Sequence, residues 1–166
     1  MTSIPRQPVQ IAWVTNDLAA TESTLSAMLG VRKWVRMAGV HFGPDSCTYR
    51  GEPADFIADI SLSYAGEMQL ELIAPVSGRS IYEDFLRDSG PGLHHICIEA
   101  GDSDDFAVML DDATARGADI VSQGTMPGGM RFAYVAAADA GVPFVEIAHI
   151  PAEIREVFDY IKAQQR

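Results

Sequence analysis

Cysteines, basic residues and long apolar runs are all scarce in this chain of 166 residues. Two cysteines do not make a disulfide framework. No apolar run reaches membrane-spanning length, and the first residues, "MTSIPRQPVQ", carry no signal-peptide pattern. A cytoplasmic protein is therefore expected. Twelve Lys and Arg against 23 Asp and Glu leave a net charge of −11. That field repels nucleic acid and anionic membrane surfaces, which excludes both as partners, and it disfavours polyanionic ligands. The one cationic cluster, Arg32, Lys33 and Arg36, reads as a solvated face in preference to an anchor for an anionic substrate.

What is plentiful is apolar: 48% of the residues are hydrophobic, enough for one packed domain spanning 1–166. "VQIAWVT" (9–15) alternates as a strand. A helix follows over 16–30, with Asn16 or Asp17 to cap its start and Gly30 just past its end. Strand patterns continue at 33–42, 55–64 and 68–75, with a Gly/Pro loop at 43–53. After a linker (76–91) holding a short helix, the order repeats. A strand at 92–100 leads to a helix at 102–118 and strands at 119–125, 130–137 and 142–150. The segment 151–166 places Ile154, Val157, Phe158 and Ile161 at helical spacing, so it docks on the body or on a partner chain. The chain thus reads as α+β, two tandem βαβββ modules (8–75 and 92–150). These are expected to form one curved, barrel-like mixed sheet with helices outside.

Strand alternation then selects the inward side chains. In "GLHHICIEA", His95, Cys97 and Glu99 share one face, and His94 shares the other with Ile96 and Ile98. With the isoleucines against the helices, His95 points to the concave side and His94 takes a structural role on the opposite face. The same parity puts Gln10, Ala12 and Val14 inside, with Ile11 and Trp13 outside. It likewise puts Gln69, Glu71 and Ile73 inside, and Phe144 and Glu146 inside.

Four polar groups so emerge at matching places in the two halves: Gln10 and His95 on the first strands, Glu71 and Glu146 on the last. A carboxylate on an apolar strand is costly unless paired or liganded. Singly, each would read as a surface or core residue; their symmetric placement argues for a site. Two carboxylates, an imidazole and an amide oxygen suit one divalent ion, whether Zn, Co, Ni, Mn or Fe. Ala12, Val14, Gln69, Ile73, Cys97 and Phe144 are the expected pocket lining. Cys97 is a small apolar wall residue in this reading, not a nucleophile.

At these residues the chain resembles the vicinal oxygen chelate superfamily, the glyoxalase / bleomycin-resistance / dioxygenase fold, over residues 8–150. "LELIAPVSGRSIYEDFLRDSGPGLHHI" (70–96) is similar to methylmalonyl-CoA epimerases, and "GGMRFAYVAAADAGVPFVEI" (128–147) to the superfamily's last two strands. The resemblance implies metal ligands at Gln10, Glu71, His95 and Glu146. It also implies proton transfer beside a metal-bound carbonyl, with Glu146 as base and Glu71 as its counterpart, a small-molecule substrate and a homodimer. Epimerases usually hold His at the position of Gln10, whereas Gln-Glu-His-Glu resembles glyoxalase I of the eukaryotic type. The glutathione-holding positions of that enzyme are here Val14, Pro75 and Pro91, which speaks against glutathione. A ring-cleaving dioxygenase needs two histidines, and neither His41 nor His149 is placed to supply the second. The expected function is a metal-dependent epimerase, isomerase or lyase for a small organic acid or thioester. The alternatives are a binding protein of the same fold without turnover, and an interaction module resting only on the C-terminal helix.

Overall fold

A computed structural model describes residues 4–166. The first half runs β1 (Pro8–Val14), α1 (Leu18–Leu29), β2 (Val35–Phe42), β3 (Cys47–Tyr49), β4 (Glu52–Pro53), β5 (Phe56–Ala65) and β6 (Met68–Ser77). Helix α2 (Ile81–Ser89) leads into β7 (Gly92–Glu99), α3 (Ser103–Ala115), β8 (Ile120–Thr125), β9 (Arg131–Ala136) and β10 (Phe144–His149), and α4 (Ala152–Ala163) closes the chain. Helix starts follow the local chemistry. Asp17, Ser80 and Asp102 each accept a hydrogen bond from the backbone N–H three residues on, satisfying a donor that the first helical turn leaves open. Gly30 ends α1 in the left-handed conformation.

All ten strands join one sheet in the order β2-β5-β6-β1-β7-β10-β9-β8-β3-β4. The first strand of each module pairs in parallel with its last, β1 with β6 and β7 with β10, and the modules meet at the antiparallel pair β1–β7. The four strands expected to carry the polar groups are therefore the adjacent central ones. This is the α+β half-barrel of two βαβββ modules.

One departure concerns 43–53, expected as a loop. Its residues form the β3–β4 hairpin, and β3 pairs with β8 of the second module. The chain crosses from one sheet edge (β2) to the other and draws the curved sheet toward closure. Gly124 permits the approach, since a Cβ there would lie 2.5 Å from the Ser46 carbonyl and 2.7 Å from the Cys47 sulfur.

The core divides as the pleat dictates. The concave side holds an aromatic cluster in which Phe42 stacks on Phe56 and meets Phe132 edge-on. The opposite face of β9 and β10 buries Ala133, Val135 and Ile147 under Phe106 and Met109 of α3. Helix α4 turns Phe158 and Ile161 into the concave cluster, while Val157 stays largely exposed. Arg32 and Lys33 are tied through their backbone N–H groups to Gln165, and Arg36 is paired with Glu22, so the cationic cluster serves the surface. Among the described residues no helix is long and apolar enough to cross a membrane.

Candidate metal centre

Sheet register sets the site out in two rows on the concave face. In one row Glu71 and His95 are the cross-strand neighbours of Ala12, and Phe144 follows beyond His95. In the next row Gln69 and Cys97 flank Gln10, and Glu146 follows beyond Cys97. Cross-strand neighbours stand about 5 Å apart, so the small side chains of Ala12 and Cys97 leave the space into which the long ones converge. Both are buried.

The convergence is close. His95 Nε2 lies 3.0 Å from a Glu146 oxygen, 3.4 Å from a Glu71 oxygen and 3.2 Å from Gln10 Oε1. One ligand atom from each of Glu71, His95 and Glu146 fits within 4.8 Å of the others. Gln10 turns its oxygen inward because its amide Nε2 donates to Gln69 Oε1 at 2.7 Å, while Gln69 Nε2 donates to the Tyr64 hydroxyl. Gln69, expected as pocket lining, thus orients Gln10. Val14 and Ile73 belong to the concave apolar cluster, and Phe144 packs on His94.

His94 corrects the strand-parity expectation. Register shifts between Ala12 and Trp13, whose partners are His95 and Leu93, so His94 is the extra residue of a bulge. Strict alternation is lost there. Both histidines are fully buried and both pack on Tyr134, and their Nδ1 atoms lie 2.8 Å apart. His94 sits in a box made by Tyr82, Phe85, Tyr134 and Phe144, and its Nε2 finds no hydrogen-bond partner among the described residues. Burial first, and then the neighbouring His95, push His94 well below the ordinary histidine range, so it stays neutral.

Electrostatics follow from burying these groups together. Burial alone would lower the pKa of His95, but hydrogen bonds to Glu146 and Glu71 outweigh it and lift it to about 9. Burial raises Glu71, partly offset by its hydrogen bond to His95. The Cys97 thiol is pushed well up by burial and then by the two carboxylates, and it stays protonated. That chemistry suits a small wall residue and not a thiolate. The donor set fits a divalent cation: two carboxylates balance its charge, one imidazole nitrogen adds affinity, and the Gln10 oxygen is already turned inward. Without a cation, the two carboxyl groups have only the His95 ring to balance them among the described residues.

Two phenols were not singled out from sequence. The Tyr82 and Tyr134 hydroxyls are 2.6 Å apart beneath the centre, and both titrate well above the usual range through burial first and then the nearby carboxylates. Alternation along "MRFAYVAA" would have placed Tyr134 inside, since it pairs directly with Glu146. Tyr82 lies on α2, whose approach to the sheet no local pattern reveals.

The family profile of the Glyoxalase/Bleomycin resistance protein/Dioxygenase superfamily matches residues 9–134. No curated protein sequence matches the chain. Among solved structures, a hypothetical protein from Bacillus halodurans C-125 superposes with a TM-score of 0.63 at 18% identity, covering 88% of this chain and 95% of that one. Methylmalonyl-CoA epimerase from Mycobacterium tuberculosis gives 0.60 at 18% identity, covering 90% and 91%. A variant of the Streptomyces coelicolor methylmalonyl-CoA epimerase bound to 2-nitronate-propionyl-CoA gives 0.53 at 18%, covering 89% and 98%. At such identities the likeness is one of fold.

Proposed function

The chain belongs to the Glyoxalase/Bleomycin resistance protein/Dioxygenase superfamily, and from that premise we propose that it is a metal-dependent epimerase, isomerase or lyase. It moves a proton at the carbon beside a carbonyl in a small organic acid or thioester. The observation that carries this is the convergence of Glu71, His95 and Glu146, from three different strands, on a point faced also by the Gln10 oxygen. A purely structural interior has no use for two carboxylates brought together in this way.

Gln10, Glu71, His95 and Glu146 would hold the ion. When bound, a divalent metal polarises the substrate carbonyl as a Lewis acid and stabilises the negative charge that develops there. Glu146 takes the proton from the adjacent carbon, and Glu71, whose pKa burial raises, returns one from the other side. Return to the same carbon gives epimerisation, and return to its neighbour gives isomerisation. The apolar concave wall keeps bulk water from the carbanionic intermediate.

Elemental analysis of protein purified without chelator tests the centre, with about one divalent ion per chain expected and a marked loss in Glu146→Gln. Solvent deuterium exchange at the α-carbon of 2-oxo, 2-hydroxy and acyl-thioester acids tests the chemistry. No metal uptake from added Zn²⁺, Co²⁺ or Ni²⁺ would overturn the proposal.

A further inference from the structure

Gln10, His95 and Glu146 are buried, and a cavity lies on the far side of His94 from them, between α2, the β3–β4 turn and strands β8 to β10. Its volume is about 1000 Å3, and its lining includes Arg50, Ile81, Phe85, Val121 and Phe144. Two of these, Phe85 and Phe144, are also walls of the box that holds His94, with ring centroids 5.0 and 4.9 Å from the imidazole. The cavity is thus separated from the His94–His95 pair by a single layer of aromatic side chains.

At the mouth stands Arg50, whose backbone is unusual. It is the one non-glycine residue at positive φ among those described, at 52°, followed by Gly51 at 80°. Together they form the two-residue turn between Tyr49 and Glu52. Such hairpin turns take Asn, Asp or Gly at the first position, because a residue with a larger side chain is strained there. The sequence keeps an arginine at a position glycine would fill without strain. Its guanidinium lies 5.3 Å from the centre of the Tyr49 ring, and Arg79 lies 5.5 Å from the same ring. Arg79 reaches Asp84, whose carboxylate also receives Tyr49 and Arg87, whereas Arg50 pairs with no carboxylate among the described residues.

We propose that this cavity is a ligand site apart from the metal centre, and that it takes a monocarboxylate with an apolar body. The carboxylate rests on Arg50, and the body lies against Ile81, Phe85 and Phe144. Arg50 is the one cation of the lining and, among the described residues, offers one unpaired guanidinium to one carboxylate, while Asp84 and Asp88 are engaged by arginines and Asp119 leaves the lining no net positive charge to hold a polyanion. A phosphate-rich ligand would add repulsion without a second free guanidinium to meet it. None of the lining residues is a proposed metal ligand, so the carboxylate site can be measured without metal and independently of the metal-centre reading.

The test uses 4-phenylbutanoate as probe, its neutral amide as control and coenzyme A as the polyanion, each titrated calorimetrically into the metal-free protein. The acid is expected to bind, and Arg50→Gly to weaken it about 10- to 100-fold, as loss of a charge-assisted carboxylate contact implies. The thermal midpoint of Arg50→Gly is expected to stay level or rise, because glycine relieves the positive φ. Arg50→Lys, which keeps the charge but loses the planar fork, is expected to fall between the two. Equal binding of acid and amide, unchanged affinity in Arg50→Gly, a lowered midpoint in that variant, or tighter binding of coenzyme A than of the acid would each overturn the proposal. Metal uptake is read separately by elemental analysis, so failure of the carboxylate site and failure of the metal centre give different results.

Discussion

His94 and His95, neighbours in one strand, are both buried against the Tyr134 ring and hold their Nδ1 atoms 2.8 Å apart. One proton must lie between those nitrogens. Because its two carboxylates hold His95 protonated while burial keeps His94 neutral, His95 Nδ1–H donates and His94 Nδ1 accepts, which leaves His95 Nε2 to face the two carboxylates. His94 therefore positions its neighbour by setting the tautomer that a metal ligand needs. His95→Ala is expected to abolish metal binding, and His94→Phe to weaken it about 10- to 100-fold, read by competition with a chromophoric chelator. Wild-type affinity in His94→Phe would show that the contact is incidental.

A second prediction concerns pH. The folded pKa of His95, about 9, lies above its unfolded value near 6.5, so the native state binds more protons across that interval. The metal-free protein then keeps this contribution in full below pH 6.5 and loses it as pH rises toward 9, on the order of 3 kcal/mol. Glu71, also raised by burial, acts in the same direction at lower pH. Urea midpoints should therefore fall with rising pH in metal-free protein. With Zn²⁺ present the slope should flatten or reverse, because the metal takes the place of the His95 proton.

Ala12 stands between Glu71 and His95 in the register and is wholly buried. Ala12→Leu should fill the space between the ligands, cost about 1–3 kcal/mol by overpacking and eliminate metal uptake. Circular dichroism and elemental analysis on the same sample separate a blocked site from an unfolded chain.

Gln69 orients Gln10 through a 2.7 Å hydrogen bond. Gln69→Leu removes that restraint and leaves the Gln10 amide free to turn its NH2 toward the centre. Metal affinity should fall about 10-fold, with a smaller effect than Gln10→Leu in the same titration.

Phe158 of α4 is buried against the concave cluster. Phe158→Ala should cost about 3 kcal/mol in chemical denaturation, whereas Val157→Ala, at a largely exposed position, should change stability by less than about 0.5 kcal/mol.

Much of this arrangement is legible in the sequence for local reasons. Capping by Asp17 and Asp102, the left-handed Gly30, and the repeat of strands after each helix follow from short-range backbone chemistry. The inward placement of Gln10, Glu71, Cys97 and Glu146 follows from the two-residue period of a strand, because one face of each strand meets the helices and the other the concave core. Where that period holds, arithmetic along the chain is enough.

Tertiary structure decided what that arithmetic does not contain. The bulge at His94 arises from pairing between β1 and β7, whose residues Trp13 and Leu93 are partners, and it brings both histidines against the Tyr134 ring. Pairing of β3 with β8 turned an apparent loop into a hairpin and set Arg50 over the cavity. The turn of the Gln10 amide was settled by Gln69 on the neighbouring strand. Local preference acts within a few residues, whereas register shifts, cross-strand hydrogen bonds and cavities are properties of surfaces that only the folded chain brings together.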